Sequence, residues 1–355
     1  MGQEARAGTG DALMLGHSQI AHYLLSLGLL KPRAVVEDGL TVVDASRRNC
    51  VFIATTRSGP TYVVKQAGPR SALTLKHEAA VLRMLADAPE LAGQVPAVVH
   101  EDRDMALLVL CSRGGGRDWR EHHKAGRFPV APARALGRGL ATLHRHSHDG
   151  IGDQPADGER MWALQFDEPP LELIRDLSAG AQDLVARLQA NAPMMDRLTE
   201  LREHDHRDVF VHGDLRWDNC LAIAAGGSGR RTQTLLIDWE LAGRGEAALD
   251  VGTVFAEYLS AWVGSIPIVE VATPGRLLSL ARYPLRSMQP AIDAFWSAYR
   301  ATSPAPPALG RVLELAAVRL LNTALERAQV LAAPTAHLVM LLQLAENVLR
   351  EPETA

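Results

Sequence analysis

The stretch Val211-His212-Gly213-Asp214-Leu215-Arg216-Trp217-Asp218-Asn219 decides the reading of this chain. Apolar runs bound it, Val209–Val211 at its start and Cys220–Ile223 after it, so a polar loop sits between two short strands. Inside the loop Asp214 is followed five residues later by Asn219. A further apolar run, Leu235–Ile237, ends in Asp238-Trp239-Glu240. Phosphoryl transfer needs such a set: one carboxylate beside the acceptor hydroxyl, and an amide plus a second carboxylate to hold Mg²⁺. An isolated His-x-Asp tripeptide arises by chance. Joined to Ile237-Asp238-Trp239-Glu240 about twenty residues on, it is poorly explained as an ordinary polar loop.

The two segments together resemble the catalytic and metal-binding segments of the aminoglycoside phosphotransferase and choline-kinase superfamily. The resemblance runs over roughly residues 35–350. It implies an α+β, bilobal, protein-kinase-like fold with a small mixed β/α N-terminal lobe and a mostly helical C-terminal lobe. It also implies an ATP- and Mg²⁺-dependent O-phosphotransferase. In that reading Asp214 orients the acceptor hydroxyl and accepts its proton late, because the transition state is loose. Asn219 and Asp238 coordinate Mg²⁺, a hard cation that takes oxygen ligands and keeps some of its waters. Arg216 stands where protein kinases often place a lysine, and it neutralises the transferring phosphoryl group. The alternative for Arg216 is an ion pair with Asp218 or another carboxylate. His212 holds the loop by hydrogen bonds, Trp217 packs beneath it, and Asp250 caps a helix and ties the loop down. Glu240 is either close to the metal or structural.

Upstream, Ile20, Tyr23, Leu24 and Leu27 predict an amphipathic helix that stops near Gly28, with Pro32 beyond. Leu40–Asp44, Cys50–Thr55 and Thr61–Gln66 predict three strands, the last two joined as a hairpin through Arg57-Ser58-Gly59-Pro60. Ser71–Asp87 reads as a helix, and Val98–His100 and Met105–Leu110 as two more strands. By the resemblance, Lys65 on the third strand pairs with Glu78 on the helix and holds the α- and β-phosphates. A solvated lysine and a surface glutamate are the plain alternative. The turn Ser46-Arg47-Arg48-Asn49 stands where a phosphate-covering loop belongs but has no glycine. Ser46 and Asn49, before Phe52, resemble the Ser-Asn pair of related phosphotransferases, with Arg47 or Arg48 aiding the phosphates or simply solvated.

The expected organisation is a nucleotide-binding lobe over 1–111 with 1–16 flexible, a hinge over 112–117, and a catalytic and acceptor-binding lobe over 118–355. In the second lobe Arg134–His144, Leu171–Leu188, Met194–Arg202, Val251–Val263, Pro290–Tyr299, Leu309–Leu331 and Ala336–Leu349 read as helices. Gly226-Gly227-Ser228-Gly229 reads as a hairpin turn. His144, His146 and His148 alternate at a spacing that does not gather ligands on a helix.

A length of 355 residues exceeds one typical core, which independently predicts two lobes. With 47% hydrophobic and 22% charged residues the chain reads as ordinary globular protein, not disorder. A net charge of −4 gives no case for nucleic-acid binding. The three cysteines, Cys50, Cys111 and Cys220, form neither a disulfide framework nor a zinc pattern, so the cytoplasm is the expected compartment. No signal core precedes the chain's first strands, and Val330–Leu344 is too short to span a bilayer.

Beyond Val251 acidic and basic residues balance, which argues against a polycationic acceptor. Trp262, Trp296 and Tyr299 offer an aromatic cage for a choline-type acceptor, or else a packed core. Ser46-Arg47-Arg48-Asn49, Val63-Val64-Lys65-Gln66 and His212–Asn219 also resemble the stand-alone kinases of class V lanthipeptide and thioamitide pathways. Those phosphorylate Ser or Thr of a precursor peptide, and a partner lyase then eliminates the phosphate. Arg47, Arg48, Arg113, Arg117 and Arg120 would suit an acidic leader peptide or a phosphorylated product, or else are ordinary surface charge. The alternatives are a small-molecule kinase, acting on an aminoglycoside, amino alcohol or other metabolite hydroxyl, and a non-catalytic pseudokinase scaffold.

Overall fold

The structure, a computed structural model, describes residues 14–46, 49–68, 72–112, 117–146, 161–167, 169, 171–175, 177–225, 231–268 and 274–352. The chain divides into two compact units, Met1–Gly115 and Gly116–Ala355.

In the first unit, α1 (His17–Ser26) and α2 (Pro32–Val36) precede β1 (Thr41–Asp44), β2 (Cys50–Thr55) and β3 (Thr61–Gln66). Helix α3 (Ala72–Ala86), β4 (Ala97–Asp102) and β5 (Leu107–Ser112) follow. The strands make one antiparallel sheet in the order β1-β2-β3-β5-β4. Successive side chains alternate between its faces. Phe52, Ala54, Tyr62, Val64, Leu107 and Val109 share a core with Ile20 and Leu24 of α1. Lys65 follows Val64 and so points to the opposite face, toward α3. The short α2 was not expected. Pro32, read as a stop after α1, instead opens it, because a first-turn proline has a preset φ and no N–H to satisfy.

The second unit begins with β6 (Arg117–Asp118), α4 (Trp119–Lys124) and α5 (Val130–Arg145). Next come α6 (Leu171–Arg175), α7 (Ala179–Gln189), α8 (Ala192–Glu203), β7 (Val209–Val211), β8 (Cys220–Ala225), β9 (Arg231–Leu236) and β10 (Gly243–Gly245). It ends in α9 (Ala247–Gly264), α10 (Pro274–Ser279), α11 (Leu285–Thr302), α12 (Leu309–Ala328) and α13 (Ala336–Arg350). The small sheets are β10-β7 and β6-β8-β9; the rest is a helical body. Helices α5 and α11 approach so closely that a Cβ on Gly137 would lie 2.2 Å from the carbonyl oxygen of Phe295.

Two helix expectations are corrected. The run Leu171–Leu188 is two helices, because Ser178 caps α7, its Oγ accepting the Ala181 N–H at 3.2 Å. Pro290 lies inside α11, which begins at Leu285, at the cost of one backbone hydrogen bond. Most of the expected hinge, 113–116, and the turn Gly226–Gly229 lie outside the described residues, as do Arg47 and Arg48. Among the described residues no helix is long and apolar enough to cross a membrane.

Candidate active site

Two short antiparallel pairings shape the site in the second unit. Val211 of β7 lies opposite Gly243 of β10, and Cys220 of β8 opposite Leu236 of β9. One step beyond the second pair the chain carries Asn219 on one strand and Ile237 on the other. The Ile237 N–H donates to the Asn219 carbonyl at 3.0 Å, so Asn219 and Asp238 emerge at the same end of the hairpin. Asp238 has φ 68°, a left-handed conformation that aspartate tolerates better than most residues. Gly213 has φ 80°, and a Cβ there would lie 2.5 Å from the Leu241 carbonyl oxygen. The loop therefore requires glycine at this position.

The Asp214 carboxylate is gripped from three sides. Its Oδ2 accepts from Arg216 Nε at 3.0 Å and lies 2.8 Å from an Arg216 Nη. The same oxygen accepts from Asn219 Nδ2 at 3.1 Å, and Asn219 Nδ2 also reaches the Asp214 carbonyl at 2.8 Å. With its nitrogen committed to Asp214, Asn219 has Oδ1 left as a hard oxygen donor for a cation. On the other side an Arg319 Nη lies 3.7 Å from Asp214 Oδ1. Of the two sequence alternatives for Arg216, the structure shows an ion pair, and the partner is Asp214 itself. Burial opposes the Arg216 charge, but Asp214, Asp218 and Glu326 outweigh it and hold the guanidinium above its ordinary pKa.

Asp250 anchors the loop from α9. Its Oδ2 accepts the His212 N–H at 2.8 Å, and its Oδ1 accepts the Gly213 N–H at 3.0 Å. His144 Nε2 lies 3.2 Å from Asp250, and His144 Nδ1 lies 2.8 Å from the Tyr299 hydroxyl. Burial alone would raise the Asp250 pKa. The hydrogen bond and charge of His144, with the charge and N–H of His212, more than offset it and hold the carboxyl below its usual value. His212 is pinned as well: its Nδ1 accepts the Asp214 N–H at 3.3 Å, and its Nε2 lies 3.0 Å from the Ile237 carbonyl. Trp239 packs on His212, ring centroids 4.5 Å apart, and so ties the Asp238 segment to the loop.

Trp217 is buried beneath the loop as expected, against His123 and Tyr258. Burial, with the charge of His122, pushes the His123 pKa down to about 3, so the ring beneath Trp217 is neutral. Of the aromatic trio Tyr299 is core, wholly buried with its hydroxyl on His144, whereas Trp262 and Trp296, the latter stacked on Tyr299 at 6.0 Å, are half-buried.

In the first unit Lys65 Nζ meets both oxygens of Glu78, at 2.7 and 2.8 Å, and the pair is buried. The plain alternative of two solvated surface charges is therefore excluded. In the turn between β1 and β2, Ser46 Oγ accepts the Val51 N–H at 3.0 Å, and the Ser46 N–H donates to Asp44 at 2.9 Å. Asn49 Oδ1 is buried with no hydrogen-bond partner among the described residues.

Of the charges around Asp214 the sequence reading named Arg120 but missed Arg319, Glu326 and Glu257. Arg319 and Glu326 of α12 bond at 3.2 and 3.4 Å, and Glu326 also lies 4.0 Å from Arg216. Glu257 of α9 accepts the Trp217 N–H at 3.0 Å. Its pKa is raised by burial and further by Asp218, against the Trp217 N–H, Arg319 and Arg327. Arg120 of α4 pairs with Asp218 at 3.2 Å. The only sequence signal for Arg319 was an arginine on an otherwise apolar helical stripe.

Residues 40–275 match the family described as "Phosphotransferase enzyme family". No curated protein matches the chain. Among solved structures, a choline/ethanolamine kinase family protein from Mesorhizobium loti is similar at 20% identity and a TM-score of 0.56, over 95% of this chain and 96% of that one. A choline kinase from Streptococcus pneumoniae is similar at 15% identity and a TM-score of 0.53, over 92% and 99% of the two chains. A macrolide 2'-phosphotransferase type I is similar at 18% identity and a TM-score of 0.51, over 91% and 99%. These likenesses are of fold, and they agree with the α+β, kinase-like architecture the sequence implies. The family match takes in Lys65, Glu78, the Asp214 loop and Asp238, and the chain belongs to the phosphotransferase enzyme family.

Proposed function

We propose that this phosphotransferase moves the γ-phosphate of ATP to the hydroxyl of an acceptor, and that the acceptor is a serine or threonine of a ribosomally synthesised precursor peptide. The observation that carries the transfer reading is the Asp214–Asn219 contact beside Asp238. One side chain turns the base and leaves an oxygen donor at the end of the hairpin from which Asp238 also emerges.

Asp214 would orient the acceptor hydroxyl and take its proton as the new oxygen–phosphorus bond forms and the bond to ADP breaks. Asn219 Oδ1 and the Asp238 carboxylate would hold Mg²⁺, a fit of hard oxygen donors to a hard cation. When bound, the ion neutralises charge on the phosphate oxygens. Lys65, aligned by Glu78, would contact the α- and β-phosphates. Arg216 would shift from Asp214 toward the transferring phosphoryl group. Ser46 and Asn49 would line the phosphates, with Ser46 acting through the turn its hydroxyl already closes.

The peptide acceptor rests on the Ser46–Asn49, Val63–Gln66 and His212–Asn219 segments, and it implies a partner lyase that eliminates the phosphate. A small-molecule hydroxyl is the second reading, favoured by the choline and macrolide kinases among the similar folds. ADP formation and mass gain of one phosphate, measured with serine-bearing peptides, amino alcohols and macrolides, separate the two. Asp214→Asn should slow transfer by about 10²–10⁴-fold, and Asp238→Ala should remove Mg²⁺-dependent turnover without unfolding the chain. Phosphorylation of small molecules alone would refute the peptide acceptor. Wild type no faster than Asp214→Asn with every acceptor class would refute phosphotransfer.

A further inference from the structure

The surroundings of Asp214 carry a charge pattern of their own. Arg319 projects from α12 with only 5% of its surface exposed, an uncommon place for a guanidinium. Two of its nitrogens serve Glu326, and one lies near Asp214. Its Nε–H is buried and meets no acceptor among the described residues. Leaving a buried donor unmade costs about 1–3 kcal/mol, so such a group marks a place where a ligand would accept.

Three further arginines gather there. Arg216 lies on Asp214, Arg120 on Asp218, and Arg327 of α12 is exposed within electrostatic reach of Arg120, Arg319, Glu257 and Glu326. The acids present are already engaged: Asp218 with Arg120, Glu326 with Arg319 and Arg216, Glu257 with the Trp217 N–H. Among the described residues, a cationic acceptor approaching Asp214 would face four guanidiniums and no carboxylate without a partner. An anion would meet planar, forked donors suited to carboxylate or phosphate oxygens.

The geometry points to an acceptor that carries an anionic group, a carboxylate or a phosphate, next to its reacting hydroxyl, held by Arg319 and Arg327 with Arg120 at the rim. This rests on the phosphotransfer reading of Asp214 and names the acceptor class it serves. In a peptide acceptor the anion would be an acidic or phosphorylated residue flanking the serine. Like charges placed against cationic acceptors would select by repulsion as well as by attraction.

The test is calorimetric titration of the full chain, saturated with Mg²⁺ and a non-hydrolysable ATP analogue, with the tripeptides Glu-Ser-Glu, Gln-Ser-Gln and Lys-Ser-Lys. Wild type should bind the acidic peptide at least about tenfold more tightly than the neutral one, the size of one charge-assisted contact. Arg327→Gln should bring the ratio to within about twofold, and Arg327→Glu should turn the preference toward Lys-Ser-Lys. Phosphoserine in place of the flanking glutamates distinguishes the anions: tighter binding assigns the subsite to phosphate, weaker binding to carboxylate. Equal affinities, a wild-type preference for the basic peptide, or a ratio unchanged in Arg120→Gln, Arg319→Gln and Arg327→Gln would overturn the inference. So would failure of every peptide to bind while the ATP analogue binds with Mg²⁺, which would leave phosphotransfer standing. Failure of the ATP analogue itself would remove the phosphotransfer reading and this inference with it.

Discussion

The Asp250 carboxylate accepts the backbone N–H of His212 at 2.8 Å across 38 residues of sequence, and it takes the Gly213 N–H with its other oxygen. Asp250→Asn would keep the shape but turn one acceptor into an amide donor facing N–H groups. A loss of about 3 kcal/mol is expected in urea unfolding, the cost of breaking a buried charged contact. The folded Asp250 pKa is lowered, so its stabilisation is present above the ordinary carboxylate value and lost as pH falls through the lowered one. The variant should therefore show a flatter acid limb than wild type. Identical limbs would mean that another group governs acid unfolding.

Glu78 is 1% exposed and bonded to Lys65 through both oxygens. Lys65→Met would strand that carboxylate and should cost about 3–5 kcal/mol. Adding Glu78→Leu should restore most of the stability, because a packed apolar pair replaces a buried ion pair at little net cost. Nucleotide turnover should stay lost in both. A double variant that regains ADP formation would reduce the pair to a structural role.

The division between what the sequence shows and what it hides follows the range of the interactions. The strands of the first unit and the Asp214 loop are local patterns, so alternation and spacing reveal them. The resemblance to the kinase-like fold is what singles out Lys65 and Glu78, and alternation against Val64 explains why the Lys65 side chain faces α3. Arg319 and Glu326 belong to the same charge cluster, yet no local period points to it. Packing of α12 against α9 brings them to Asp214 from more than a hundred residues along the chain. Arg216 had two plausible acids within reach in sequence, and only the folded loop selects Asp214. The aromatic trio stays open between cage and core in the sequence for a related reason: spacing places Trp296 and Tyr299 near one another, but only the fold shows Tyr299 buried on His144 and Trp296 half-buried beside it.

Gly213 combines φ 80° with a carbonyl 2.5 Å from where a Cβ would stand. Gly213→Ala therefore carries both backbone strain and a clash with rigid main chain. The strain alone amounts to about 1–3 kcal/mol, and relief requires moving Leu241 and with it the Asp238 segment. Thermal unfolding should report the lost stability, and turnover should fall further than stability does. A variant as active as wild type would show that the loop has freedom the pairing of β7 with β10 does not suggest.

Glu257 titrates in the opposite sense to Asp250. Burial, with Asp218 from the loop, raises its pKa; Arg319 and Arg327 of α12 and the Trp217 N–H only partly counter it. A raised folded pKa means the contribution to stability is full below the ordinary carboxylate value and declines as pH rises through the raised one. Glu257→Gln keeps an oxygen for the Trp217 N–H and removes the buried charge. Urea midpoints measured from mildly acidic to neutral pH should decline in wild type more than in the variant, and the variant should be at least as stable at neutral pH. Replacing Arg319 by Gln takes away a cation that faces Glu257 and should steepen the decline. A wild-type slope that Glu257→Gln leaves unchanged would place the titration elsewhere and remove Glu257 from the charge balance beneath Trp217.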